Sequence, residues 1–150
     1  MIEARAHAIL PVPAADAFAA ATDLDNADWL PAVRGLRRIA GEPGTIGARY
    51  AVEVGLIGRH LSGVLVCREL EPPRRAVYAL EDGLDLTITI TVAEVGGGSN
   101  LELVAAYVVG GGPIGGAVER ASVGAARREV ARAVEQLAAR FKRKDPAVAR

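Results

Sequence analysis

The chain is short of the residues that build metal centres and covalent cross-links. Cys67 is its one cysteine, which excludes an intrachain disulfide and a thiolate cluster. Histidine occurs only at His7 and His60, with no ligand spacing between them, so no metal is expected. An excess charge of one sign is missing too. Lys+Arg and Asp+Glu number 18 each, for a net charge of zero, and Lys142 and Lys144 are the only lysines. That balance gives no electrostatic support to a nucleic-acid or anionic-membrane partner. Long apolar runs are also absent. No apolar stretch follows a basic start at Met1–Arg5, so no secretory signal is expected. The longest charge-free stretch, Leu103 to Val118, is too short and too rich in glycine for a membrane span. These absences leave a cytoplasmic protein without an integral membrane segment as the expectation.

What is present suits a packed core. The 150 residues are 51% hydrophobic and 24% charged, which sets the chain apart from disordered or low-complexity sequences. One domain over residues 1–144 with a tail at 145–150 is expected from the length. Residues Ile2 to Leu10 alternate polar positions 3, 5 and 7 with apolar 2, 4, 6 and 8, the period of a half-buried strand. Pro11 and Pro13 end it, and the alanine-rich Ala14 to Thr22 reads as a helix with Phe18 inward. Asp23 to Pro31 reads as a second short helix.

Strand character then takes over. Segments Val33–Ala40, Ala48–Val54, Arg59–Leu70, Arg75–Glu81, Leu84–Val95 and Leu101–Val109 are separated by turn signals, among them Gly41–Gly44, Gly55–Gly58, Glu71–Arg74, Asp82-Gly83 and Gly96–Asn100. The cleanest alternation sets Leu84, Leu86, Ile88, Ile90 and Val92 on one face, with Asp85, Thr87, Thr89 and Thr91 on the other. After the joint Gly110–Gly116, residues Ala117 to Lys142 read as one long helix. Its apolar stripe runs through Val130, Val134, Leu137, Ala138 and Phe141, and Gln136 and Arg140 stand at i,i+4 spacing.

Short connections imply an antiparallel sheet, and only the terminal helix, about 40 Å long at 1.5 Å per residue, can cover its wide apolar face. The expected architecture is α+β: a curved sheet of about seven strands wrapped around a long C-terminal helix, with two short helices after the first strand. The covering helix is mostly alanine and valine, which leaves space between helix and sheet for a ligand unless the large sheet residues fill it.

The order of elements resembles the START-like, or SRPBCC, superfamily and its helix-grip fold. Val12-Pro-Ala-Ala-Asp-Ala-Phe18, Asn26-Ala-Asp-Trp29-Leu-Pro31, Glu71-Pro-Pro-Arg-Arg75 and the Gly96–Asn100 hairpin are similar to its polyketide cyclase/dehydrase and lipid-transport branch. The resemblance covers about residues 2 to 142. It implies a cavity that binds or carries a lipid, polyketide, isoprenoid or other small hydrophobic molecule, without a cofactor and without a universal catalytic residue. Residues expected to line it are Trp29, Tyr50, Tyr78, Ile88, Ile90, Leu103, Tyr107, Val130 and Val134.

Each candidate also has a plainer role. Trp29, the single tryptophan, serves either the cavity mouth or simple packing of the short helices. Tyr107 is balanced between ligand contact and core. His60 reads as a surface strand residue before it reads as an acid or base, and His7 as solvated. Arg49, Glu53 and Arg59 either orient a polar head group or pair on the outer face. Cys67 reads as a small buried residue without a base to activate it. Gly110–Gly116 lacks the lysine of a phosphate loop and serves as a structural joint or a hinge. An enzyme of the cyclase/dehydratase type would draw on His60, Tyr107, Tyr50 and Arg49. An interaction module like the co-chaperone relatives of the fold would use the arginines at 120, 127, 128 and 132. A homodimer is left open.

Overall fold

A computed structural model describes residues 2–56, 59–81, 85–108 and 115–144. The expected strands form, within a few residues of their sequence boundaries. Strand β1 spans Ile2–Leu10 and helix α1 spans Ala14–Thr22. Strands β2 (Val33–Ala40), β3 (Arg49–Leu56), β4 (Arg59–Glu71), β5 (Arg75–Glu81), β6 (Asp85–Val95) and β7 (Gly98–Val108) follow, then helix α2 (Gly115–Lys144). They make one seven-stranded antiparallel sheet in the order β1-β7-β6-β5-β4-β3-β2. It is the α+β, helix-grip architecture that the order of elements implies.

Two local readings change. The second short helix shrinks to a single 3-10 turn, Leu24–Asn26, with no side-chain cap at Asp23. The polar side chains here pair with other side chains and do not cap the turn: Asn26 Nδ2 donates to Asp23 Oδ2 at 3.0 Å, and Asp25 faces Arg38 Nε at 3.4 Å. The β6–β7 hairpin is tighter than its glycine run suggests. Val95 pairs with Gly98, so only Gly96 and Gly97 make the loop, at φ 36° and 89°. Those left-handed positions suit glycine and match the twist of the strands. The Asp82-Gly83 turn, Leu84, much of the 110–116 joint and the 145–150 tail lie outside the described residues.

Helix α1 is docked by a charge from the sheet. Pro13 stands at its N-cap with no side chain to cap it, and the Ala14 amide donates instead to Glu94 Oε1 of β6 at 2.9 Å. A carboxylate there also meets the positive end of the helix. The inner face of the sheet carries Ala4, Leu10, Tyr50, Val52, Leu65, Tyr78, Ile90, Leu101, Leu103 and Tyr107, all buried. Buried Ala126, Val130, Ala133, Val134 and Leu137 of α2 and Phe18 of α1 complete the core. Burying one large apolar side chain contributes about 1.5–3 kcal/mol, more than an exposed ion pair. The core therefore holds the sheet and helices together, and the outer ion pairs are secondary.

Helix α2 packs chiefly on β1, with a smaller contact to β7. It therefore lies toward one edge of the sheet and leaves the inner faces of β3 to β6 only partly covered. Arg140 does not stay on the helix surface beside Gln136. It donates to the main-chain oxygen of Asn26 at 3.1 Å and to the carboxylate of Asp28, tying the far end of α2 to the segment after α1.

Candidate functional site

The uncovered part of the inner sheet face becomes a cavity of about 150 Å³. Its floor is built by period-two alternation: Val52 and Val54 of β3, Leu65 of β4, Tyr78 and Leu80 of β5, Leu86, Ile88 and Ile90 of β6, and Leu103, Ala105 and Tyr107 of β7. Its roof is the helical set Ala126, Glu129, Val130 and Ala133. The remaining side is Ala21, Leu24 and the segment Trp29–Val33. Alanines at 21, 105, 126 and 133 leave the space that leucines would occupy. The walls are almost wholly apolar. Such a space repels water, and engineered apolar cavities of similar size stay dry and accept a single aromatic ring.

Two polar atoms at this site lack partners. The Trp29 indole Nε1 and Glu129 Oε2 are buried and make no hydrogen bond. Trp29 itself is only 3% exposed. The other Glu129 oxygen faces Arg132 Nη1 at 3.5 Å, one helical turn away. A buried donor or acceptor left unpaired costs about 1–3 kcal/mol. Among the described residues, Ser99 Oγ and Asn100 Oδ1 are also buried without a partner, but neither residue lines the cavity.

The tyrosines divide. Tyr78 and Tyr107 line the cavity. Burial, reinforced by Cys67 and Tyr50 nearby, pushes the Tyr78 phenol well above its ordinary range, so it stays neutral. Tyr50 is buried and faces inward with Val52, but it lies outside the cavity wall. Its phenol is also raised, first by burial and then by Asp25.

Of the nine residues expected at the cavity, the structure brings together Trp29, Tyr78, Ile88, Ile90, Leu103, Tyr107 and Val130. Tyr50 and Val134 are not among them. Val134 turns toward β1 and lines a separate recess with Ala6, Ala8 and Ala138, because α2 sits over that edge of the sheet. The sequence reading missed Glu129, Ala126, Ser62 and the Leu30–Val33 segment. Glu129 had a signal: it stands three residues after Ala126 and four before Ala133, on the inward stripe.

Of the residues weighed for acid–base work, Tyr107 lines the cavity, whereas His60 and Arg49 point elsewhere. His60 is exposed, with Nε2 3.7 Å from Glu53. Arg49 donates to Glu81 Oε2 at 2.6 Å, and Arg68 donates to the other oxygen at 2.6 Å. The Arg49 hydrogen bond leads in holding the Glu81 carboxyl below its usual range, against some desolvation. Cys67 is buried, and burial raises its thiol pKa, which makes it a poor nucleophile. Among the described residues, no group of three or more His, Cys, Asp or Glu is placed to hold a metal ion. No helix among them is long and apolar enough to cross a membrane.

Comparison with known proteins gives the same architecture. The family model for polyketide cyclase / dehydrase and lipid transport matches residues 1–142. The protein TTHA0849 from Thermus thermophilus superposes with a TM-score of 0.80 at 20% identity, covering 93% of this chain and 96% of its own. A START superfamily protein from Mycobacterium smegmatis gives 0.73 at 14% identity, covering 93% and 98%. Protein CV1439 from Chromobacterium violaceum gives 0.63 at 24% identity, covering 93% and 96%. At these identities the likeness speaks for the fold. No curated protein matches the sequence.

Proposed function

Because the chain belongs to the polyketide cyclase / dehydrase and lipid transport family, we propose that it binds or carries a small hydrophobic molecule in the cavity between sheet and α2. The observation that carries this reading is the cavity itself: about 150 Å³ of space with aliphatic and aromatic walls, kept open by alanines on α1, β7 and α2. A water-filled site would need several polar partners, and these walls offer almost none. Transfer of an apolar ligand from water to such walls contributes about 25 cal/mol per Å² buried.

The placement of His60 and Arg49 favours binding over chemistry. A general acid or base must reach the reacting group, and His60 and Arg49 sit on the outer face of the sheet, engaged with Glu53 and Glu81. Trp29, Tyr78, Ile88, Ile90, Leu103, Tyr107 and Val130 are the residues proposed to touch the ligand. Native mass spectrometry of protein purified without detergent, with its organic extract analysed in parallel, tests the reading. A one-to-one adduct with a small apolar molecule is the expected result. A bare chain that also takes up no added single-ring hydrocarbon would refute it.

A further inference from the structure

We infer that the group held between sheet and α2 is bare hydrocarbon, so that the site selects an unoxygenated ring or branched chain against hydroxyl, keto and carboxylate analogues of the same size; this rests on the cavity being a ligand site. The wall built by the described residues includes five side chains able to hydrogen-bond: Trp29, Ser62, Tyr78, Tyr107 and Glu129. Yet that wall exposes almost no polar surface, so these five meet the space with carbon. Trp29 Nε1 and Glu129 Oε2 show how this is done. Both atoms are covered by protein and lie out of a ligand's reach. The sheet adds only aliphatic side chains, among them Val52, Leu65, Ile88, Ile90 and Leu103.

An apolar wall does not by itself exclude an oxygenated ligand, because one exposed donor is enough to hold a hydroxyl or keto oxygen. Here the donors and acceptors of the wall are covered. An oxygen that enters gives up its bonds to water and gains none. The scale of that loss separates two kinds of site. Moving a hydroxyl into a medium that can hydrogen-bond weakens partition by about twofold to thirtyfold, and into an alkane by about a thousandfold. The cavity belongs with the alkane. Its volume of about 150 Å³ is that of a site one aromatic ring fills, with no place for a water to accompany the oxygen. A polyketide, with oxygens on alternate carbons, is thus the least suited of the molecules in the family's description.

Calorimetric titration of the full chain with benzene, 1,4-dimethylbenzene and 4-methylphenol tests this. Benzene and 4-methylphenol partition almost equally into octanol, which can hydrogen-bond, so general hydrophobicity does not separate them. The dimethylbenzene matches the phenol in size, with methyl in place of hydroxyl. The expected result is 4-methylphenol at least tenfold weaker than both hydrocarbons. Ala133→Leu should weaken benzene at least tenfold, which locates the probe in this cavity. Where that variant folds poorly, nuclear Overhauser contacts from bound benzene to the Ile88, Ile90 and Leu103 methyls locate it instead. A phenol within tenfold of either hydrocarbon overturns the inference and leaves the cavity reading intact. Failure of all three probes to bind, or benzene bound away from these residues, overturns both.

Discussion

Arg140, near the C-terminal end of α2, donates to the carboxylate of Asp28, one residue before Trp29. A second bond to the Asn26 main-chain oxygen, at 3.1 Å, fixes the same guanidinium. The long helix thus holds both the roof of the cavity and the segment that closes its side. Asp28 is largely exposed, with its side chain 86% accessible, whereas Arg140 is mostly covered at 16%. The pair is therefore a positional tie more than a source of stability.

Removing that tie should loosen Trp29 without unfolding the protein. Arg140→Ala is expected to cost about 1 kcal/mol in urea denaturation, the usual scale for a partly exposed bond. Acrylamide quenching of the single tryptophan should rise clearly. An unchanged quenching constant would show that the Asn26–Val33 segment is held by its apolar contacts alone.

Filling the cavity should separate binding from stability. Ala133 lies on α2, is 3% exposed and forms part of the roof. Ala133→Leu places apolar volume where a ligand would sit, so ligand uptake should fall at least tenfold. The melting temperature should hold or rise, because an apolar void is removed. A large loss of stability would mean that the space cannot accept the added side chain.

Two glycines should respond in opposite directions to alanine. A Cβ at Gly98 would stand 2.4 Å from the Leu10 carbonyl oxygen, a backbone atom in the paired strand β1. Gly98→Ala should therefore destabilise by about 1–3 kcal/mol, as overpacking does. At Gly124 on α2 the nearest atom is the Arg128 Nη1 at 3.4 Å, the end of a flexible side chain. Gly124→Ala should stabilise, by up to about 1 kcal/mol from helix propensity. Thermal melts of both variants check the contrast.

Acid should reveal the outer cluster of Arg49, Arg68 and Glu81. The folded-state pKa of Glu81 is lowered, chiefly by the Arg49 hydrogen bond. A lowered carboxyl pKa means stability that is complete above the unfolded value of 4.5 and lost as pH falls through the folded value. Wild-type protein should thus melt above Glu81→Gln at pH 7, with the gap closing as pH drops below 4.5. A gap that persists unchanged far into acid would contradict the assignment. Ligand binding should not follow this titration, because Arg49 and Glu81 face away from the cavity.

Much of the fold is written in short-range patterns. Ile88, Ile90 and Val92 alternate with Thr87, Thr89 and Thr91, and β6 follows with its inner and outer faces as that pattern requires. The same period places Tyr107 beside Leu103, and both reach the cavity. The site is only partly legible, because its limits depend on where α2 lies across the sheet. Val134 belongs to the helix stripe, yet it faces β1, a position set by the tilt and docking of α2 and not by periodicity. Tyr50 shares a face with Val52 but lies beyond the hollow, which depends on the curvature of the sheet. Glu129 is charged, so a hydrophobic pattern passes over it, although its helical position puts it on the cavity roof. The bond between Arg140 and Asp28 spans 112 residues, and no local rule proposes it.

The most direct test of the central claim uses the tryptophan that lines the cavity. Propylbenzene titrated into the wild-type protein should change Trp29 emission saturably, with one site, and Ala133→Leu should abolish or sharply weaken that change. A wild-type emission that stays flat across the solubility range of the probe, with one-site binding also absent by calorimetry, would contradict a ligand cavity between sheet and α2.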